Sequence, residues 1–144
     1  MGTQLFWQNL QARLHPLVDA FPGVAGVSVR DVTGGGFSLN GAAIFPTAST
    51  IKIHVLMQLL VRAEKGEVDL DERVLVDLSN VVEGSGVLWH LTGPVELSLR
   101  DIAALMIIVS DNTATNICIE RAGIDATNAL LCSLGLKKTI LRPD

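Results

Sequence analysis

Two places in the chain carry residue types that could do nucleophilic chemistry. They are Ser49-Thr50-Ile51-Lys52 and the tripeptide Ser110-Asp111-Asn112. From Ser49 to Arg62 the residues read as a helix, on which a serine and a lysine three apart lie side by side. His54, Gln58 and Arg62 are spaced by four, and Lys65 continues the line, so the pattern assigns that stripe to water. Lys52 falls roughly 120° from the centre of the stripe, near Leu56 and Leu59, and is aimed into the core. A buried, unpaired ammonium is costly or gives up its proton. A neutral amine beside a hydroxyl is a base next to a nucleophile, and the free N–H groups of a helix start favour negative charge developing near Ser49. The plainer alternative makes Ser49 or Thr47 an N-cap and lets Lys52 snorkel outward.

Ser110-Asp111-Asn112 follows the very apolar stretch Leu99 to Val109, whose core is Ala103-Ala104-Leu105-Met106-Ile107-Ile108-Val109. A polar tripeptide there ends one helix and begins another. On its own it also reads as an ordinary N-cap for a helix over Asn112 to Ala122.

The elements that must position these groups begin with a helix from Thr3, its candidate N-cap, to Ala20, kinked or ended at Pro16. Val24 to Asn40 reads as a β-hairpin around Thr33-Gly34-Gly35-Gly36. Helices are then expected over Ser49 to Lys65, Leu99 to Val109, Asn112 to Ala122 and Ala126 to Leu134, with a short extended piece over Arg73 to Leu78. Ser98-Leu99-Arg100-Asp101 has the form of a capping box. A two-stranded sheet is marginal in water, and nothing after Gly135 has the length to supply three more strands.

The 144 residues carry 11 basic and 15 acidic side chains, a formal net charge of −4, with no basic cluster. Nothing in that balance points to nucleic acid or an anionic membrane as partner. Cys118 and Cys132 lack paired metal-site spacing and both read as core. His15, His54 and His90 have no ligand spacing either, so neither a metal nor a cofactor is expected. Met1-Gly2-Thr3-Gln4-Leu5-Phe6 carries neither a secretory nor a myristoylation signal. The expected location is cytoplasmic as written, and periplasmic or secreted if a signal was removed.

Taken together, the two motifs resemble those of the class A β-lactamases and related penicillin-recognising serine hydrolases. Phe45 to Lys52, Val82-Glu83-Gly84-Ser85-Gly86-Val87-Leu88, and Leu105 to Asn116 are similar to that family in order and approximate spacing. The resemblance implies an α+β fold, of which residues 1–144 are the N-terminal portion of one catalytic domain. Residues 3–45 would be a helix and hairpin of its α/β part and 46–135 its helical part, with the C-terminal strands missing. It implies Ser49 as the nucleophile that opens a lactam, its backbone N–H as an oxyanion donor, and Lys52 as its proton partner. Ser110 would return a proton to the departing nitrogen, Asn112 would bind the acylamino group, and Asp111 would brace the loop. The family's catalytic Glu and its Lys-Thr-Gly strand have no counterpart here, since Lys138-Thr139-Ile140 lacks the glycine. The chain alone is therefore expected not to turn over, and a complementing C-terminal half or a swapped homodimer is expected as partner. Alternatives are a penicilloyl-binding or assembly module, or a D,D-peptidase-like or glutaminase-like enzyme with the same Ser-x-x-Lys.

Overall fold

Alternating apolar periodicities of about 3.6 and 2 residues produce five helices and four short strands among the residues described in this computed structural model, which are 2–142 apart from 78 and 80. By its contacts the chain divides into two compact units, Met1–Phe45 and Pro46–Asp144.

In the first unit α1 spans Gly2–Asp19, and β1 (Val27–Arg30) pairs antiparallel with β2 (Gly36–Leu39), Val27 opposite Leu39 and Arg30 opposite Gly36. Asp31 closes the turn by accepting from Thr33 N and Gly35 N, both at 2.8 Å. Trp7 of α1 meets Phe37 edge-on with ring centroids 6.3 Å apart. One expectation needs correcting: helix α1 already includes Thr3, which is therefore not its N-cap. Of the two outcomes read at Pro16, an end is not observed, since the helix runs on to Asp19 and the Pro16 carbonyl accepts from Ala20 N at 3.0 Å.

The second unit holds α2 (Ile51–Glu64), β3 (Arg73–Val76), β4 (Val95–Ser98), α3 (Leu99–Ile108), α4 (Asn112–Ala122) and α5 (Ile124–Ser133). It is not purely helical, as β3 and β4 form an antiparallel pair with Arg73 opposite Ser98 and Val76 opposite Val95. The extended piece expected to reach Leu78 ends as a strand at Val76, and Leu78 lies outside the described residues. The capping box forms as read: Ser98 Oγ accepts from Asp101 N at 3.1 Å and donates to its carboxylate at 2.6 Å.

The core follows from helical spacing. Val55 and Leu59 of α2, Leu99, Ile102 and Met106 of α3, and Ala114, Cys118 and Ala122 of α4 are fully buried. The α4 stripe is small at every fourth residue, which lets neighbouring helices approach closely. The wet stripe read on α2 holds only at its end, where Lys65 is exposed and Arg62 half-buried. Gln58 is only 7% exposed and His54 is half-buried, whereas Ile53, Met57 and Leu60 face outward. Cys132 is likewise exposed and not core, because α5 buries Thr127 and Leu131, four apart, and Cys132 lies one step off that line. Among the described residues no helix is long and apolar enough to cross a membrane.

Candidate active site

Ser49 sits in a 3-10 turn, Ala48–Thr50, that leads into α2. Neither Thr47 nor Thr50 caps through its side chain, so the N-cap alternative is not realised. Ala48, immediately before Ser49, has φ +43, and Ser110 has φ +55. Left-handed backbone at non-glycine residues costs on the order of 1–3 kcal/mol and persists where the surroundings impose it. Here the two strained positions flank or carry the two hydroxyls.

The surroundings of Ser110 show what imposes its conformation. α3 ends at Ile108, and Asp111 N reaches back to Leu105 O at 3.2 Å, which turns the chain over at Ser110. Asp111, 1% exposed, then begins α4 as its N-cap, accepting from Ala114 N at 2.9 Å through Oδ1. Its Oδ2 accepts from Val87 N at 2.7 Å and Leu88 N at 2.9 Å. Three backbone donors and a helix N-terminus thus satisfy a buried carboxylate. The loop carrying those donors is fastened at further points. Asn112 N donates to Ser85 O at 3.0 Å, Asn112 Nδ2 to Glu83 O at 3.2 Å, and Val82 N to Thr113 Oγ1 at 2.9 Å. At Gly86, φ +118, an added Cβ would lie 2.2 Å from Asp111 Oδ2, so only glycine permits this approach.

The side chains read from sequence as chemically competent converge. Lys52, 6% exposed, donates through Nζ to Ser110 O at 2.7 Å, to Ser110 Oγ at 2.9 Å and to Asn112 Oδ1 at 3.3 Å. Ser110 Oγ in turn donates to Ser49 Oγ at 2.8 Å. Lysine therefore points inward and is fully partnered, and the snorkelling alternative is not observed. Burial pushes its pKa below the ordinary lysine value, with the charge of Asp111 pulling the other way. Such a cluster can move a proton between two hydroxyls and an amine. It opens on a cavity of about 620 Å³ lined by Ser49, Lys52, Val82, Asn112, Thr115 and Glu120, among others. Glu120, a carboxylate on that lining, pairs with Arg121 at 3.4 Å.

Sequence reasoning missed the carbonyls of Glu83 and Ser85, the requirement for Gly86 and the strained Ala48. Two glycines separated by one residue, at 84 and 86, were the available signal for a loop that must approach another backbone closely. Trp89 stacks on His90 at 3.8 Å and is not part of the cavity lining. Among the described residues no group of three or more His, Cys, Asp or Glu side chains could hold a metal ion.

The fold that carries this cluster is that of the class A β-lactamases. A beta-lactamase from Sphaerobacter thermophilus superposes with a TM-score of 0.87 at 35% identity, over 92% of this chain and 51% of that one. An ancestral class A β-lactamase gives 0.83 at 31%, over 93% and 52%. PBP-A gives 0.85 at 31%, over 94% and 52%. A PBP-A variant solved as an acyl-enzyme complex with penicillin G gives 0.83 at 29%, over 94% and 53%. The chain belongs to the Beta-lactamase enzyme family, whose model matches residues 9–144. It is 34% identical to beta-lactamase PSE-4 of Pseudomonas aeruginosa over 99 residues, 68% of this chain and 34% of that protein. With CARB-4 of the same organism it shares 31% over 118 residues, 81% of this chain and 41% of that one. It thus spans a third to two fifths of these curated relatives' length and about half of the similar solved structures.

Proposed function

We propose that this chain provides the acylating half of a serine β-lactam hydrolase site. Ser49 is the nucleophile and attacks the lactam carbonyl, and its own backbone N–H faces the developing oxyanion. Lys52 is the proton acceptor, Ser110 protonates the departing nitrogen, and the Asn112 amide receives the acylamino group of the substrate. Asp111 supports these groups without touching substrate. The observation that carries this reading is the unbroken line Lys52 Nζ, Ser110 Oγ, Ser49 Oγ, with steps of 2.9 and 2.8 Å.

Hydrolysis of the acyl-enzyme needs an activated water. We assign that task to a carboxylate outside these 144 residues, brought by further chain, by a complementing C-terminal half or by a swapped copy. As in the periplasmic or secreted setting expected if a signal was removed, the substrate would be a β-lactam or a related acyl compound. A second reading, acylation with slow release, is favoured by the likeness to PBP-A, whose variant was captured with penicillin G as an acyl-enzyme.

Incubating the intact protein with a chromogenic cephalosporin separates the two. Continuous hydrolysis that disappears in Ser49→Ala supports the hydrolase. A single stoichiometric burst without turnover supports the penicilloyl-binding protein. Equal colour release by wild type and Ser49→Ala contradicts both.

A further inference from the structure

We propose that Asn128 of α5 is a positioning residue for hydrolysis of the acyl-enzyme. It acts by clamping the backbone of Leu141, so that Leu141 and Arg142 form a fixed wall of the active-site cavity. The assignment rests on Ser49 being acylated and deepens that reading, since it concerns release and leaves acylation to the residues already named.

The clamp is a reciprocal pair of hydrogen bonds. Asn128 Oδ1 accepts from Leu141 N at 2.8 Å, and Asn128 Nδ2 donates to Leu141 O at 2.9 Å. A backbone N–H can only donate and a backbone carbonyl can only accept, so the amide is held in this one orientation. The two bonds reproduce what a strand residue exchanges with its opposite number in a hydrogen-bonded antiparallel pair. Neither alanine nor an aspartate of the same size could complete them, since a carboxylate only accepts. Asparagine is a weak helix former, and here it stands in the middle of α5, where its side chain serves the chain that follows the helix.

Little else holds that chain. From Cys132 to Ile140 every residue is exposed except half-buried Thr139, and then Leu141, 6% exposed, joins the core. Among the described residues, the segment from 137 to 142 makes its hydrogen bonds to another element through Asn128 alone. Leu141 and Arg142 line the same cavity as Ser49 and Lys52. The acylating cluster is fastened elsewhere, Lys52 to the 110–112 turn and that turn to the 83–88 loop through Asp111 and Asn112. Wall and cluster are therefore anchored separately.

Release needs the cavity as a whole. A carboxylate takes one proton from a water, whose oxygen bonds to the acyl carbon. The ester bond to Ser49 Oγ then breaks, and that oxygen recovers the proton, leaving free acid and free serine. Whichever chain carries the carboxylate, it enters the cavity beside Ser49 and seats against the Leu141–Arg142 wall. A misplacement of about 1 Å can cost about 100-fold in rate, so loosening the wall slows release.

The test compares wild type, Asn128→Ala and Asn128→Asp in the intact protein, following by mass the acylation of Ser49 by penicillin and the release of the penicilloyl group. Aspartate fills the same space and keeps the bond from Leu141 N, but sets a carboxylate oxygen against the Leu141 carbonyl. It therefore separates the clamp from mere packing. Both variants should acylate within about threefold of wild type and release on the order of 100-fold more slowly. Release slowed by less than about tenfold, acylation slowed as much as release, or Asn128→Asp behaving as wild type would each overturn the assignment. Hydrogen exchange reads the clamp itself. The Leu141 amide should lose protection in both variants while the amides of α4 keep theirs, and unchanged protection at Leu141 overturns the assignment too. Wild type that takes no penicillin at Ser49 sinks the proposed function, whereas acylation with a release rate indifferent to Asn128 sinks this assignment alone.

Discussion

Replacing Asp111 by Asn changes one atom and tests what holds the site together. In the native arrangement Oδ2 accepts from Val87 N and Leu88 N, and Oδ1 accepts from Ala114 N. An amide has one acceptor oxygen. If that oxygen faces Val87 and Leu88, the NH2 group meets the Ala114 N–H, donor against donor. If it faces Ala114, two donors are left opposed. The better orientation loses one charge-assisted bond, about 1.5–3 kcal/mol, and weakens two others. The amide also removes the charge that partly offsets the burial of the Lys52 ammonium. A loss of about 2–4 kcal/mol is expected, which for a domain of this size lowers Tm by about 4–16 °C. Thermal and urea unfolding of the intact protein, wild type against Asp111→Asn, measure it. A change within about 0.5 kcal/mol, the range of an ordinary surface substitution, would refute the claim that this carboxylate pins the 83–88 loop to the start of α4.

Three further outcomes follow from the same geometry. Gly86→Ala should cost about 2 kcal/mol or more, whereas Gly93→Ala, with no atom within 4 Å of its new Cβ, should stay within about 0.5 kcal/mol in the same unfolding assay. With Lys52 in the proposed role of neutral proton acceptor, and its pKa lowered by burial from the ordinary value, the acylation rate should rise with pH, about tenfold per unit, until that lowered pKa and level off above it. Lys52→Arg, which stays charged, should remove the rise in a stopped-flow pH profile. Iodoacetamide at neutral pH should modify exposed Cys132 in the folded protein and leave Cys118, buried with its thiol pushed up to about 12, until denaturant is added, as peptide mass spectra would show.

Much of the scaffold was legible because local rules and tertiary packing agree there. The Ser98 cap fixed the start of α3, Asp111 and Gly123 bounded α4, and the Val27–Leu39 hairpin followed from β-branched residues around glycines. Lys52 was readable as buried since its neighbours at helical spacing are apolar. Periodicity failed on part of α2. Hydropathy placed Lys52, Val55 and Leu59 inside correctly but failed at Gln58, which is enclosed, and at Ile53, Met57 and Leu60, which are exposed. Strand β4 was hidden by its length, since Val95-Glu96-Leu97-Ser98 merges into the cap of α3 and acquires strand identity through its pairing with β3. Within the site, side chains were foreseeable by type, but the carbonyls of Glu83 and Ser85 were not. Those oxygens are placed by the loop's path, which depends on Gly86 lying against Asp111 and on the hydrogen bond from Val87 N to Asp111 Oδ2, 24 residues apart in sequence.

The most direct test of the central claim is an intact-mass spectrum of the protein before and after incubation with a simple penicillin, followed by peptide mapping. The account predicts a gain of one penicilloyl mass, located on Ser49 and absent from Ser49→Ala. No gain, or a gain that survives Ser49→Ala, would contradict it.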